Sequence, residues 1–134
     1  MGLSHLELHR NRTLGNQTVL VVDDNRPVRA LMLAILLENG FDALEAKSGS
    51  EALQIAANER VDLVLTDVVM PGMSGPELIS HLKERGLVKR WLLVSGYPGE
   101  ALTNAHGLSE RLPLLGKPFT AEQLLRTIHE IFDS

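Results

Sequence analysis

At 134 residues the chain is long enough for one domain with a sizeable core and too short for two of ordinary size. Its formal charge of -4 supplies no basic field for nucleic acid or an anionic membrane surface, so neither is an expected partner of this chain alone. The absence of cysteine removes disulfides, thiolate metal sites and cysteine nucleophiles together, and no apolar run approaches the roughly 20 residues of a membrane span. With no signal-peptide layout at the N-terminus either, the expectation is a soluble, cytoplasmic protein.

Residues 1–17, MGLSHLELHRNRTLGNQ, are mostly polar and read as a leader or linker. From Thr18 to Ser134, short β-branched or leucine-rich runs alternate with helical stretches, the pattern of βαβ units around a parallel sheet. The first strand, TVLVV (Thr18–Val22), runs into Asp23 and Asp24. The helix after it repeats Val28, Leu31, Met32, Ile35 and Leu36 at helical spacing, an expected buried face, with Asp24 or Asn25 as cap and Gly40 as stop. The second strand, FDALEA (Phe41–Ala46), ends without reactive side chains. Its helix takes Ser48 or Ser50 as cap and carries Leu53 and Ile55, the weakest apolar content of the set. The third strand, VDLVLT (Val61–Thr66), finishes on Asp67 and breaks into a loop shaped by Pro71 and Gly72. Ser74 then caps a helix with Pro76 in its first turn and Leu78, Ile79 and Leu82 facing inward. The fourth strand, RWLLVS (Arg90–Ser95), ends on Ser95 and Gly96, and PGEALTNAHGLSE is the least committed segment, a short fourth helix. The fifth strand, RLPLLG (Arg111–Gly116), contains Pro113 and so belongs at an edge; Lys117 follows it. The last helix opens at Thr120, near Glu122 and Gln123, and repeats Leu124, Leu125, Ile128, Ile131 and Phe132.

In an open parallel sheet the functional crevice lies outside the carboxyl ends of the strands, where the strand order reverses. With strand two outside strand one, the order 2-1-3-4-5 gathers Asp23, Asp24, Asp67, Ser95 and Lys117 around one crevice. Carboxylates a few ångströms apart repel by ~4 kcal/mol per pair at an effective dielectric of about 20, so a cation is required there. Lys117 is one. Oxygen ligands without histidine or cysteine point to a hard divalent ion, Mg²⁺, which binds through one or two carboxylates plus phosphate oxygens and so implies a phosphorylated ligand. A carboxylate, a divalent cation, a lysine and a hydroxyl donor are the parts of phosphoryl transfer onto an aspartate. Taken singly each residue has a plainer explanation: an acid before a helix is usually a cap, a serine before glycine a turn residue, a lone lysine a surface charge. The set outweighs these. His5, His9, His81, His106 and His129 are scattered and read as surface residues, Trp91 as packing, Met70 and Met73 as loop packing.

Four motifs, VLVVDDN, LTDVVMPGMSG, LLVSGYP and LLGKPF, in this order and spacing, resemble the receiver domain of two-component response regulators, a single doubly wound (βα)5 flavodoxin-like α/β domain. The resemblance covers Thr18 to about Phe132. It implies that Asp67 is the phosphoacceptor, that Asp24, Asp67 and the Val69 backbone carbonyl hold Mg²⁺ with Asp23 acting through water, and that Ser95 and Lys117 contact phosphoryl oxygens. It also implies a cis Lys117-Pro118 peptide, an open approach at Gly96, and a phosphohistidine donor on a histidine kinase or phosphotransfer protein. The module is then a signalling receiver with intrinsic self-phosphorylation and autodephosphorylation, and no enzyme in the ordinary sense. Two departures stand out. Leu114 occupies the position where many receivers carry a switching aromatic ring. Val69 and Tyr97 are apolar and bulky where they flank the phosphoryl group, and are expected to shield an acyl phosphate from water. The sequence around LGNQTVLVVDD, VSGYP and LLGKPF resembles receivers of hybrid sensor histidine kinases somewhat more than stand-alone regulators. Among competing functions, a phosphohydrolase of the haloacid dehalogenase type needs a second acid two residues after its nucleophile, where this chain has Val69. Nucleotide binding lacks both the glycine-rich fingerprint and a P-loop.

Overall fold

Strands buried on both faces read as continuous apolar runs rather than alternating ones, and the first strand shows this fully: Val19, Leu20, Val21 and Val22 are all inaccessible to solvent. The structure, a computed structural model, describes residues 16–96 and 112–134. Within them the chain runs β1 (Thr18–Val22), α1 (Arg26–Glu38), β2 (Asp42–Ala46), α2 (Gly49–Asn58), β3 (Leu63–Asp67), α3 (Gly75–Glu84), β4 (Trp91–Ser95), β5 (Leu114–Gly116) and α4 (Ala121–Asp133). All neighbouring strands pair in parallel, in the order β2-β1-β3-β4-β5. Successive side chains leave a strand on opposite faces. Val19, Val21, Leu63, Leu65, Leu92 and Val94 accordingly meet Met32, Ile35 and Leu36 of α1 and Leu124 and Ile128 of α4. Leu20, Val22, Leu44 and Val64 meet Ala52 and Ala56 of α2 and Leu78 and Leu82 of α3 on the other side.

Each helix starts on the residue type its free N–H groups need. The Asn25 side chain accepts from Val28 N, and Ser48 from Glu51 N, so Asn25 and Ser48 are the caps among the alternatives open in the sequence. Ser74 with Glu77, and Thr120 with Gln123, form reciprocal capping boxes. Replacing such a cap typically costs about 1 kcal/mol. Gly40, at φ +88°, ends α1 in a conformation other residues rarely adopt.

Several expectations need correction. Leu31 is 57% exposed. The buried stripe of α1 is centred on Met32 and Leu36, which puts Leu31 at its solvent margin while Leu33 and Leu37 pack partly against the core. In α2 the small Ala52 and Ala56 face the sheet and Leu53 and Ile55 are only half-buried, because that helix packs close. β3 begins at Leu63 and includes Asp67, since the Asp62 carboxylate instead receives Thr18 N at 2.8 Å. β5 is only Leu114–Gly116. Pro113 lacks an N–H, but its carbonyl still accepts from Leu93 N at 2.9 Å, as an edge position allows. Arg111 and the expected fourth helix, PGEALTNAHGLSE, lie outside the described residues, as does most of the expected leader. Among the described residues no helix is long and apolar enough to cross a membrane.

Candidate functional site

The register of the sheet levels the strand ends. Val22 lies beside Thr66, Asp67 beside Val94, and Ser95 beside Gly116, so the residues following β1 and β5 converge with Asp67 at one rim. Carboxylate oxygens of Asp23, Asp24 and Asp67 come within 4.8 Å of one another. Lys117 reaches across, its Nζ 3.5 Å from Asp67 Oδ1 and 3.8 Å from Asp23 Oδ2. The Lys117 backbone N–H donates to the Ser95 carbonyl at 2.8 Å, which ties the lysine to the end of β4. Lys117-Pro118 is cis, as expected from the resemblance.

Asp23 is wholly buried. Its N–H donates to Ala46 O at 3.2 Å and its Oδ1 accepts from Asn25 N at 2.8 Å. Its Oδ2 has no hydrogen-bond partner. A buried carboxylate oxygen left without a partner is strongly unfavourable, and Lys117 at 3.8 Å compensates for it only in part. A hard cation between this oxygen and its acidic neighbours resolves the deficit. The donor set therefore fits a divalent ion, with Asp24 exposed at the solvent side and Asp67 between.

The Asp67 carboxyl titrates above its ordinary 3.8. Burial is the main cause; the Lys117 ammonium works against it, the Asp23 carboxylate reinforces it, and the hydrogen bond from Val68 N at 2.9 Å again works against it. One lysine is thus too little positive charge to hold this acid in its ionised form as readily as in water.

The loop leaving β3 is drawn tight: Gly75 N donates to Val68 O at 2.8 Å, and a methyl group on Gly75 would lie 2.3 Å from the Asp67 carbonyl oxygen. Ser95 is buried at the end of β4. Gly96 is exposed, and among the described residues a methyl there would meet nothing within 4 Å. Val69 is 45% exposed beside Asp67. Leu114 packs with Val68, Ile79 and Leu93, so an apolar aliphatic side chain fills the position noted for lacking a ring. Tyr97 lies outside the described residues.

Sequence reasoning missed two residues. Gly75 stands in the sequence only as the residue between the cap Ser74 and Pro76. Arg29 was not singled out at all, yet its side chain is 12% exposed, with Nη1 donating to Asp23 O at 2.8 Å and Nε to Glu45 Oε1 at 2.7 Å. The signal was available: Arg29 precedes Met32 by three and Leu36 by seven, which puts a charge on the buried stripe of α1.

A five-stranded parallel sheet of this order, with three acids and a lysine at the carboxyl ends, defines a CheY-like, flavodoxin-like signalling domain. Residues 19–129 match the response regulator receiver domain family, and the chain belongs to it: it is a phosphoacceptor receiver module of two-component signalling. It is 36% identical over 121 residues to the sensor kinase CckA of Brucella abortus, covering 89% of this chain and 13% of that protein. It is 29% identical over 109 residues to the sporulation initiation phosphotransferase F of Bacillus subtilis, covering 81% and 88%. The chemotaxis protein CheY4 of Vibrio cholerae superposes with a TM-score of 0.77 at 29% identity, covering 87% of this chain and 99% of that one. The chain thus spans a small part of the kinase and most of the two smaller relatives. The haloacid dehalogenase alternative finds no support in these matches.

Proposed function

We propose that Asp67 accepts a phosphoryl group from a phosphohistidine on a histidine kinase or phosphotransfer protein, in a Mg²⁺-dependent step, and that the modified domain then switches conformation. The observation that carries this is the buried Oδ2 of Asp23, which has no hydrogen-bond partner, in a cluster of three carboxylates and one lysine. An Asp67 carboxylate oxygen attacks phosphorus, the P–N bond to the donor imidazole breaks, and the imidazole nitrogen departs with the bonding pair and takes up a proton. Asp67 is left as an acyl phosphate. Lys117 and the Ser95 hydroxyl hold phosphoryl oxygens against the rim. Asp24, Asp67 and the Val69 carbonyl, with Asp23 acting through water, would hold a divalent ion, which would supply charge neutralisation for those oxygens. Phosphate loss is attack of water on phosphorus, returning Asp67 as a carboxylate and releasing inorganic phosphate. The same chemistry lets a small acyl phosphate load the domain without a partner. Val69, exposed next to the acceptor, and Tyr97 shield the acyl phosphate and lengthen its life.

The parent architecture follows the relatives in two directions, a receiver within a hybrid kinase as in the CckA match or a small regulator as in the phosphotransferase match, with residues 1–17 as a linker in the first case. A cytoplasmic setting fits either. Loading with a phosphorylated histidine donor, followed by borohydride reduction of the acyl phosphate to homoserine and peptide mapping, tests the assignment. Homoserine at position 67 is the expected result; reduction at another acid, or at none, overturns it.

A further inference from the structure

We infer that Arg29 is a positioning residue for the cation site: it fixes the peptide between Asp23 and Asp24 and thereby sets the aim of both acids. This rests on the reading of the acid cluster as a Mg²⁺ site. Arg29 lies in the first turn of α1, facing the sheet, and its guanidinium is nearly buried, with 12% of the side chain exposed. A buried guanidinium is strongly unfavourable unless its donors are used. Here they are used in two directions. Nη1 donates to the backbone carbonyl of Asp23 at 2.8 Å, and Nε to Glu45 Oε1, at the end of β2, at 2.7 Å. Glu45 is the more exposed partner, so it anchors the arginine from the solvent side.

The consequence for Asp23 is specific. Its N–H is held by Ala46 O, its Oδ1 by Asn25 N and its carbonyl by Arg29, so every hydrogen-bonding atom but Oδ2 is fixed by the protein. The free atom is the one turned toward Lys117 and the acid cluster. A carbonyl pinned in this way cannot rotate its peptide plane, and that plane also sets the backbone direction into Asp24. Outer contacts that orient ligands in this manner change metal affinity by about 10–100-fold when removed.

Charge and position make opposite forecasts. Arg29 is a cation close to a cluster of acids, so if its role were electrostatic its loss would tighten Mg²⁺ binding. If it positions the acids, its loss weakens binding. The experiment is calorimetric titration with Mg²⁺ at 25 °C of the unmodified chain, Arg29→Ala, Arg29→Lys and Glu45→Gln, alongside the urea midpoint of each in chelator. We expect Arg29→Ala to bind Mg²⁺ about 10–100-fold more weakly while still folded at 25 °C. Arg29→Lys retains the charge, but one ammonium cannot span both the Asp23 carbonyl and Glu45, so it should not restore full affinity. Glu45→Gln should weaken binding by less than Arg29→Ala. Unchanged or tighter binding in Arg29→Ala, with or without a lower urea midpoint, overturns the inference and leaves the site reading intact. No binding by the unmodified chain overturns both.

Discussion

Gly75→Ala adds one methyl group at the most crowded point of the β3–α3 loop. That methyl would sit 2.3 Å from the Asp67 carbonyl oxygen, 3.1 Å from Leu93 Cδ2 and 3.1 Å from Val68 Cα. Two of these neighbours are backbone, so the overlap cannot be relieved by turning a flexible side chain. The start of α3 must move away from the end of β3. Overpacking of this kind costs about 1–3 kcal/mol. The movement also strains the 2.8 Å hydrogen bond from Gly75 N to Val68 O, for about 1 kcal/mol more. Restricting the unfolded chain by replacing glycine gives back about 0.4–1 kcal/mol. The net loss is roughly 1–3.5 kcal/mol, a fall in Tm of about 4–13 °C for a domain of this size. Because the crowded atom is the Asp67 carbonyl oxygen, Mg²⁺-dependent phosphorylation at 25 °C should slow as well. Gly96→Ala is the control, since among the described residues a methyl there meets nothing within 4 Å, and its Tm should stay within a couple of degrees. Thermal unfolding by circular dichroism checks both. A Gly75→Ala chain with an unchanged Tm would show that the close approach of α3 to the end of β3 is not what holds this connection.

Three further outcomes are expected. Asp67 has a raised folded-state pKa, so the native state holds its proton more tightly than the unfolded chain does. Its contribution to stability is therefore fully present below the ordinary 3.8 and is lost as pH rises through the raised value, so in chelator Asp67→Asn should be more stable than the unmodified chain at neutral pH, and the gap should close in acid. Urea unfolding at several pH values reads this directly, and a destabilised Asp67→Asn at neutral pH contradicts it. Leu124→Ala opens a cavity under a fully buried side chain and should cost about 2–5 kcal/mol, whereas Leu31→Ala, at a position 57% exposed, should stay within about 0.5 kcal/mol. Equal losses in the two would restore Leu31 to the core. Tyr97→Ala and Val69→Asn should each shorten the lifetime of the acyl phosphate, followed by release of inorganic phosphate from the loaded domain; an unchanged rate in both removes the shielding role.

Short β-branched and leucine-rich runs alternating with helical stretches carried the sheet, and Val19 to Val22 and Leu63 to Thr66 are buried on both faces. Strand-end chemistry then carried the site: Asp23, Asp67, Ser95 and Lys117 are distant in sequence, and only the strand order brings them to one rim. What escaped was decided by neighbours. Leu31 has the right spacing for the buried stripe, but the surface that α1 covers is narrower than its apolar face. β5 shortens because Pro113 cannot donate, a loss the sequence flags without saying how many residues it removes. The sequence does not show that a methyl on Gly75 would meet the Asp67 carbonyl oxygen whereas one on Gly72 would, among the described residues, meet nothing within 4 Å. Arg29 was legible only to a search for charge on an apolar stripe, and its partner Glu45 belongs to a strand that offered no reactive end.

The central claim is that Asp67 is phosphorylated with the help of a divalent ion held by its acidic neighbours. Intact mass after incubation with acetyl phosphate, with and without Mg²⁺, on this chain and on Asp67→Asn, tests it most directly. The account predicts a gain of one phosphoryl group that requires Mg²⁺ and is absent from the variant. A gain that persists in Asp67→Asn, or that is indifferent to Mg²⁺, would contradict it.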